Sequence, residues 1–250
     1  MTIEAAACST RGIREHNEDS FLLSNIAGGT GIEDSMESFF SSDLQKGIFC
    51  VADGMGGHAA GDVASQFVVN ELNQKYQEYA FLEDADAIKK SFETIIKSIH
   101  ADLIKKGIDD DTEKMGSTCC GIFTVGALGG FFNVGDSRVY RMRNGFLQQL
   151  SRDHSLSSYI PDAAKNIIVN AMGAGIAEVQ VDIRISESVI VPRDIFLLCS
   201  DGVHGAVDDE KLEDMLGQET DTIRMAQAVV DEAVRNNSDD NCTAVIIKVL

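Results

Sequence analysis

Short apolar runs separated by polar turns dominate this chain, and two of them end in the same dipeptide. Gly47-Ile48-Phe49-Cys50-Val51-Ala52 runs into Asp53-Gly54, and Ile195-Phe196-Leu197-Leu198-Cys199-Ser200 runs into Asp201-Gly202. A third acid, Asp240, precedes Asn241 and the run Cys242-Thr243-Ala244-Val245-Ile246-Ile247. Runs of this length and β-branched content predict buried strands. Residues 1–24 predict strand, turn, strand, with a polar turn around Arg11 to Asp19, whereas the glycine- and serine-bearing stretch 25–46 predicts an irregular loop. After Gly57 a helix is expected, with Val63, Phe67, Val68 and Leu72 at helical spacing and Asp62 near its positive end. Ile88, Phe92, Ile95, Ile96, Ile99 and Leu103 form one apolar stripe that predicts a core helix over residues 84–106. Strands follow over 118–125, 130–134, 137–142 and 146–150, with Arg143-Asn144-Gly145 as a hairpin signal. Beyond them the pattern predicts a short helix over 164–172 and strands over 179–190 and 195–200. A helix near 221–236, with Ile223, Ala226, Val230 and Ala233 inward, leads to a last strand over 242–249. Consecutive strands interrupted by helices predict an α+β chain of mostly antiparallel sheets with helices packed outside. No linker or repeat divides it, so one domain is expected.

Composition narrows the function classes. The chain has 250 residues, enough for a full core, and a net charge of −19. Such an excess of acid argues against nucleic acid and anionic membrane surfaces as partners. No stretch of 18 apolar residues predicts a membrane span, and Met1 to Cys8 lacks the basic-then-apolar order of a signal peptide. The six cysteines sit mostly inside apolar runs without zinc-ligand spacing, and adjacent Cys119-Cys120 is a poor disulfide. They are read as reduced core residues of a cytoplasmic protein, with a monomer as the default.

A carboxylate at the mouth of a buried strand is costly unless a charge compensates it. Three of them, Asp53, Asp201 and Asp240, suggest a metal ion. Gly54-x-Gly56-x-x-Ala59 also fits a dinucleotide-binding turn loosely, but Asp53 would oppose the pyrophosphate. Further candidates are the turn Arg14-Glu15-His16-Asn17-Glu18-Asp19 and the acid of Gly135-Asp136-Ser137-Arg138. Taken singly, each has a plain structural explanation as a solvated or self-capped turn. His154, in Asp153-His154-Ser155, reads as a hydrogen-bonding structural residue rather than a ligand.

Together these motifs resemble the metal-dependent protein phosphatase family of the protein phosphatase 2C type, in its bacterial form. The resemblance runs from Thr10-Arg11-Gly12-x-Arg14-x-x-Asn17-Glu18-Asp19-Ser20 through Val51-Ala52-Asp53-Gly54-Met55-Gly56-Gly57-His58 and Gly116-Ser117-Thr118. It continues through Gly135-Asp136-Ser137-Arg138, Asp153-His154-Ser155 and Leu198-Cys199-Ser200-Asp201-Gly202, and ends at Asp240-Asn241-x-Thr243.

The resemblance implies a four-layer αββα sandwich, two sheets face to face with helices outside and a metal centre at one end. It also implies a serine/threonine phosphatase with two core Mg²⁺ or Mn²⁺ ions. Asp53 would bridge them, with the Gly54 carbonyl on one ion. Asp201 and Asp240 would hold the other, and Glu18 would act directly or through water. Asp19 would support the shell, Asp136 would match a third, weaker ion site, and Arg14 would grip the substrate phosphate. A water between the ions would be the nucleophile, attacking phosphorus in line with no phosphoenzyme. Partners would be phosphoproteins, substrates of a serine/threonine kinase. Two departures stand out: Met55 follows Asp53-Gly54 where many relatives place a general-acid histidine, with His58 three residues on. The flap after Asp153-His154-Ser155, near residues 156–165, is shortened. Two other readings are weaker. A silent phosphoprotein-binding module would be expected to have lost one of the three acids, and a nicotinamide- or flavin-binding oxidoreductase rests on the glycine turn alone.

Overall fold

In a computed structural model, which describes all residues except 32, 57–59, 81–83, 111, 113, 161, 165–166 and 219–220, strand alternation sorts side chains into separate layers. The first half comprises β1 (Ile3–Thr10), β2 (Asp19–Leu23), β3 (Ile26–Gly28), β4 (Ser35–Ser41), β5 (Lys46–Met55), α1 (Gly61–Glu78) and α2 (Ala85–Asp109). Then come β6 (Gly116–Ser117), β7 (Cys119–Val125), β8 (Leu128–Val134), β9 (Arg138–Arg143) and β10 (Phe146–Gln149). The remainder is β11 (Met172–Gly173), β12 (Asp182–Ser186), β13 (Ile195–Cys199), α3 (Asp201–His204), α4 (Asp209–Leu216), α5 (Thr222–Arg235) and β14 (Cys242–Val249).

One sheet has the order β10-β9-β13-β14-β1-β4. The other has the order β11-β6-β5-β7-β8-β12, with β2 on the far side of β5 and β3 beyond it. All these pairings are antiparallel. On β1, Ala5 and Ala7 face the core between the sheets while Ala6 and Cys8 face α5. On β5, Phe49 and Val51 face that same central core, and Ile48, Cys50 and Ala52 face α1 and α2. Period-two alternation on two stacked sheets thus produces three apolar layers, and the architecture is the expected αββα sandwich.

The α2 stripe is buried along its whole length, from Ile88 to Leu103, and Asp84 caps the helix by accepting from the Ala87 N–H at 2.9 Å. Phe92 stacks on Phe123 with centroids 4.4 Å apart and lies 4.9 Å from Phe132. The six cysteines are free and buried. Among the described residues no helix is long and apolar enough to cross a membrane.

Four expectations need correction. Stretch 25–46 is not loop throughout: β3 and β4 lie in it, and β4 pairs with β1 along its length. Its strand signal is faint because it is an edge with only Phe39 packed inward, 5.7 Å from Phe49. The described part of 164–172 is not helical. Ile168 bridges to Ser155, and Met172 and Gly173 pair with Ser117 and Gly116. The β-branched run Ile167-Ile168-Val169 suits that extended backbone. The strand expected over 179–190 shrinks to β12, after which the chain turns. Finally, Ile223 is 39% exposed and Val63 37%, so α5 and α1 turn other residues inward, among them Met225, Val229 and Ala64. Helices α3 and α4 were not expected from the pattern at all.

The stacked ring cluster and the outward Ile223 give a paired test by denaturant unfolding. Phe92→Ala should cost about 3–5 kcal/mol, and Ile223→Ser should stay within about 0.5 kcal/mol of the parent.

Candidate metal centre

Strands β2 and β5 place Asp19 directly opposite Asp53. Their neighbours Phe21, Leu23, Phe49 and Val51 fill the central core, so the same alternation aims both carboxylates at the end of that layer. Asp53 is not quite at a strand mouth. Strand β5 continues through Gly54 and Met55, which pair with Ser117 and Gly116. At Gly54 a side chain is impossible, because a Cβ would stand 2.0 Å from the Gly61 carbonyl oxygen. The Gly54 N–H donates to the Glu18 carbonyl at 3.1 Å, and Ser65 Oγ donates to the same carbonyl at 2.5 Å. Thr118 holds the Asp53 backbone from both sides: its Oγ1 accepts from Asp53 N–H and its N–H donates to Asp53 O, each at 2.9 Å.

The six-stranded sheet supplies the opposing wall. Asp201 opens α3 directly after β13, and Asp240 stands two residues before β14. Asp136 occupies the turn between β8 and β9, where His204 Nε2 donates to its backbone carbonyl at 3.0 Å. Ser200 Oγ donates to Asp19 Oδ2 at 2.7 Å and accepts from Thr243 N–H at 3.1 Å. Asp136, Asp201 and Asp240 line one cleft of about 450 Å³, together with Arg138, Asp153, Ser155, Ser157 and residues 236–239.

Burial governs the charge state of this group. It pushes Asp53 well above the usual carboxylate range, and the charges of Asp19, Asp201, Asp136 and Asp240 push it further. Burial raises Asp19 to about 7 despite hydrogen bonds from Ser200 and Thr243 that favour the anion. Asp136 also rises to about 7, by burial and then by Asp201. Asp201 is raised by burial and Asp240, against relief from Asp53, the Gly202 N–H and Arg14. Glu18 is raised by burial, Asp62 and Asp240. His204 falls to about 4, first by burial and then by Arg138, so it is neutral at pH 7.

The structure therefore brings Asp19, Asp53, Asp136, Asp201 and Asp240 within electrostatic reach of each other, with Glu18 at their margin. Arg14 joins them from the loop between β1 and β2. Its Nε donates to Asp239 O at 2.6 Å and its Nη2 to Asp240 Oδ2 at 2.8 Å. His58 lies outside the described residues. His154 is fully engaged as a structural residue: Nδ1 accepts from Gly135 N–H at 3.1 Å, and Nε2 lies 3.1 Å from Asp182 Oδ2. Ser200, Thr118 and Thr243 fall inside the motifs that carry the resemblance, but a sequence reading gives them no role at the site.

Asp136 Oδ1 and Asp201 Oδ1 are buried with no hydrogen-bond partner, an arrangement that costs free energy unless a cation or donor meets them. A set of carboxylates and a backbone carbonyl is the donor type hard divalent cations take. Among the described residues no three such side chains already stand in coordination geometry. The residues present fit a divalent cation centre.

The family model for protein phosphatase 2C matches residues 23–239. The serine/threonine phosphatase stp of Listeria welshimeri is 32% identical over 252 residues, covering 94% of this chain and 91% of the relative. Among solved structures, the Streptococcus agalactiae (S. agalactiae) serine/threonine phosphatase superposes with a TM-score of 0.83 at 25% identity, covering 99% of this chain and 100% of the other. The catalytic domain of the serine/threonine phosphatase PstP, in complex with two manganese ions, superposes at 0.74 with 28% identity and full coverage of both chains (100% each). The chain belongs to the protein phosphatase 2C family and is a phosphoprotein phosphatase.

Proposed function

We propose that the chain hydrolyses phosphoserine and phosphothreonine in proteins, without a phosphoenzyme, at a centre of two Mg²⁺ or Mn²⁺ ions. In this reading Asp53, the Gly54 carbonyl, Asp201 and Asp240 would hold the ions. Glu18 contributes directly or through water, and Asp136 takes a third, weaker ion. The observation that carries it is the pair of buried, unpartnered oxygens Asp136 Oδ1 and Asp201 Oδ1 beside Asp53 in an open cleft. Glu18, Asp53, Asp201 and Asp240 carry four negative charges, which two divalent ions balance. The names of the Listeria and Streptococcus relatives support the substrate class, and the manganese complex of PstP supports the ion class.

When bound, such ions lower the pKa of coordinated water towards neutrality and offset charge on the phosphoryl oxygens. The chain's own residues do the positioning. Thr118 fixes the Asp53 backbone, and Ser200 fixes Asp19, which orients water at the margin of the centre. Arg14 presents a planar donor fork, about half exposed, that turns from Asp240 to the phosphate oxygens. Ser155, Ser157 and Asp239 line the cleft on the side where the peptide around the phosphoresidue would lie. Burial pushes the Cys120, Cys199 and Cys242 thiols up, out of the reactive thiolate range, so none of these three is a ready nucleophile.

The direct test is Mn²⁺-dependent hydrolysis of a phosphothreonine peptide. Chelation should abolish turnover, and Asp53→Asn should lower kcat by more than about 100-fold. Activity that survives both changes would sink the metal mechanism.

Asp136 gives a pH prediction. Its folded-state pKa of about 7 lies above the ordinary 3.8, so the folded chain holds a proton that the unfolded chain releases. That stabilisation is complete below about pH 4 and is lost as the pH rises through about 7. In metal-free protein Asp136→Asn cannot ionise. Its stability relative to the parent, measured by urea unfolding, should therefore increase from pH 5 to pH 8. A constant difference would contradict the assignment.

A further inference from the structure

We propose that Asn241 is a positioning residue, docking the loop of residues 11–18 onto Asp240 and thereby setting where Arg14 meets the substrate phosphate. The inference rests on the role given to Arg14 above. Asn241 is 5% exposed. Its Oδ1 accepts from the Glu18 N–H at 2.8 Å, and its Nδ2 donates to Arg11 O at 3.0 Å and His16 O at 2.9 Å. Every hydrogen-bonding group of the amide is therefore spent on one loop, more than two hundred residues away in the chain. Its backbone N–H donates to Asp240 Oδ1 at 2.8 Å, so the same residue also orients that carboxylate.

The end of the loop at Asn17 and Glu18 is fixed independently, by Asn17 to Gly31, Ser9 and Gly29 and by the Glu18 carbonyl to Gly54 and Ser65, but residues 12–16 have little else to hold them in place. Residues 13–16 are exposed, and Ile13, its one large apolar side chain, is 76% exposed. Local contacts shape it: Arg14 N–H donates to Arg11 O at 3.1 Å and Gly12 N–H to Thr10 Oγ1 at 3.1 Å. These contacts fold the turn without attaching it to the other wall of the site. Attachment comes from residues 239–241, through Asn241 and through the two bonds Arg14 makes to Asp239 and Asp240. When Arg14 turns from Asp240 to a phosphate, its Nε bond to Asp239 O and the three Asn241 bonds keep residues 11–18 docked, and Asn241 supplies three of those four. The residue type matters. Two donors and one acceptor are needed at once; aspartate has no donors when ionised, and serine offers one on a shorter stem.

A double-mutant cycle separates positioning from general support. Binding of inorganic phosphate to Mn²⁺-loaded protein is measured by calorimetry, with the melting temperature recorded alongside. Arg14→Ala and Asn241→Ala should each weaken phosphate binding by about tenfold or more. The double variant should be within about twofold of Arg14→Ala, because Asn241 acts through that guanidinium. Losses that multiply in the double variant overturn the inference, as does an Asn241→Ala protein that melts lower but binds phosphate like the parent. If Arg14→Ala itself binds phosphate like the parent, the role of Arg14 fails first and the inference falls with it. Should Asn241→Ala not fold, Gly12→Ala carries the same cycle under the same criteria. Gly12 has φ +57°, and a Cβ there would stand 2.9 Å from Asp240 O, lifting the same loop from its other end.

Discussion

Two carboxylates placed directly across an antiparallel pair, Asp19 and Asp53, at the end of an apolar layer, are the constraint on which this architecture turns. Like charges in that relation destabilise a sheet, and burial multiplies the cost. Burial comes first among the forces on Asp53, and the neighbouring charges that act on it most strongly are the acids Asp19, Asp201, Asp136 and Asp240. The net charge of −19 is not the cause. Charges beyond about 10 Å are largely screened, so the demand for positive charge is local to Asp53, Asp136, Asp201 and Asp240. Three apolar layers supply the stability against which this local cost is set.

Apart from the Arg14–Asp240 ion pair, neutral polar side chains hold the acids in place. A buried chain of hydrogen bonds runs from Asn17 Nδ2 to Ser9 Oγ, at 2.8 Å, and from Ser9 Oγ to Thr243 Oγ1, at 2.6 Å. Thr243 N–H then donates to Ser200 Oγ, and Ser200 to Asp19. That chain crosses from the strands of one sheet to the other at the end where the acids converge. Thr118 does similar work under Asp53, and its Oγ1 lies 2.7 Å from Ser137 Oγ, next to Asp136. A network of this kind fixes backbone positions while leaving Asp136 Oδ1 and Asp201 Oδ1 without a partner.

What was legible in the sequence follows from how local each signal is. The αββα layering rests on alternation in β1, β5, β13 and β14 and on the α2 stripe, all patterns within one segment. Edge strand β4 was not legible, because its partner β1 lies more than 20 residues away and only Phe39 records the contact. The helix expected over 164–172 failed for a related reason: pairing of Ile168 with Ser155 and of Met172 with Ser117 decided the backbone, not local periodicity. At the site, the acids were legible as charges in costly places. Asn241 was visible only as the neighbour of Asp240, since its three loop contacts are set by tertiary structure.

The segment after Asp153-His154-Ser155 is held apart from the converging acids. It is closed on itself by the Ser155–Ile168 bridge, by Val169 N–H donating to His154 O at 2.8 Å, and by Arg152 lying 4.7 Å from the Tyr159 ring centroid. Its contribution to the cleft comes through Ser155 and Ser157, while the converging acids come from strand ends and the turns beside them. Length in this segment can therefore change without moving a carboxylate. Length in β2, β5, β13 or β14 cannot, because one residue of slip would turn Asp19 or Asp53 to the opposite face. The acids are thereby fixed by strand register, while the segment bordering the cleft is fixed by its own local contacts.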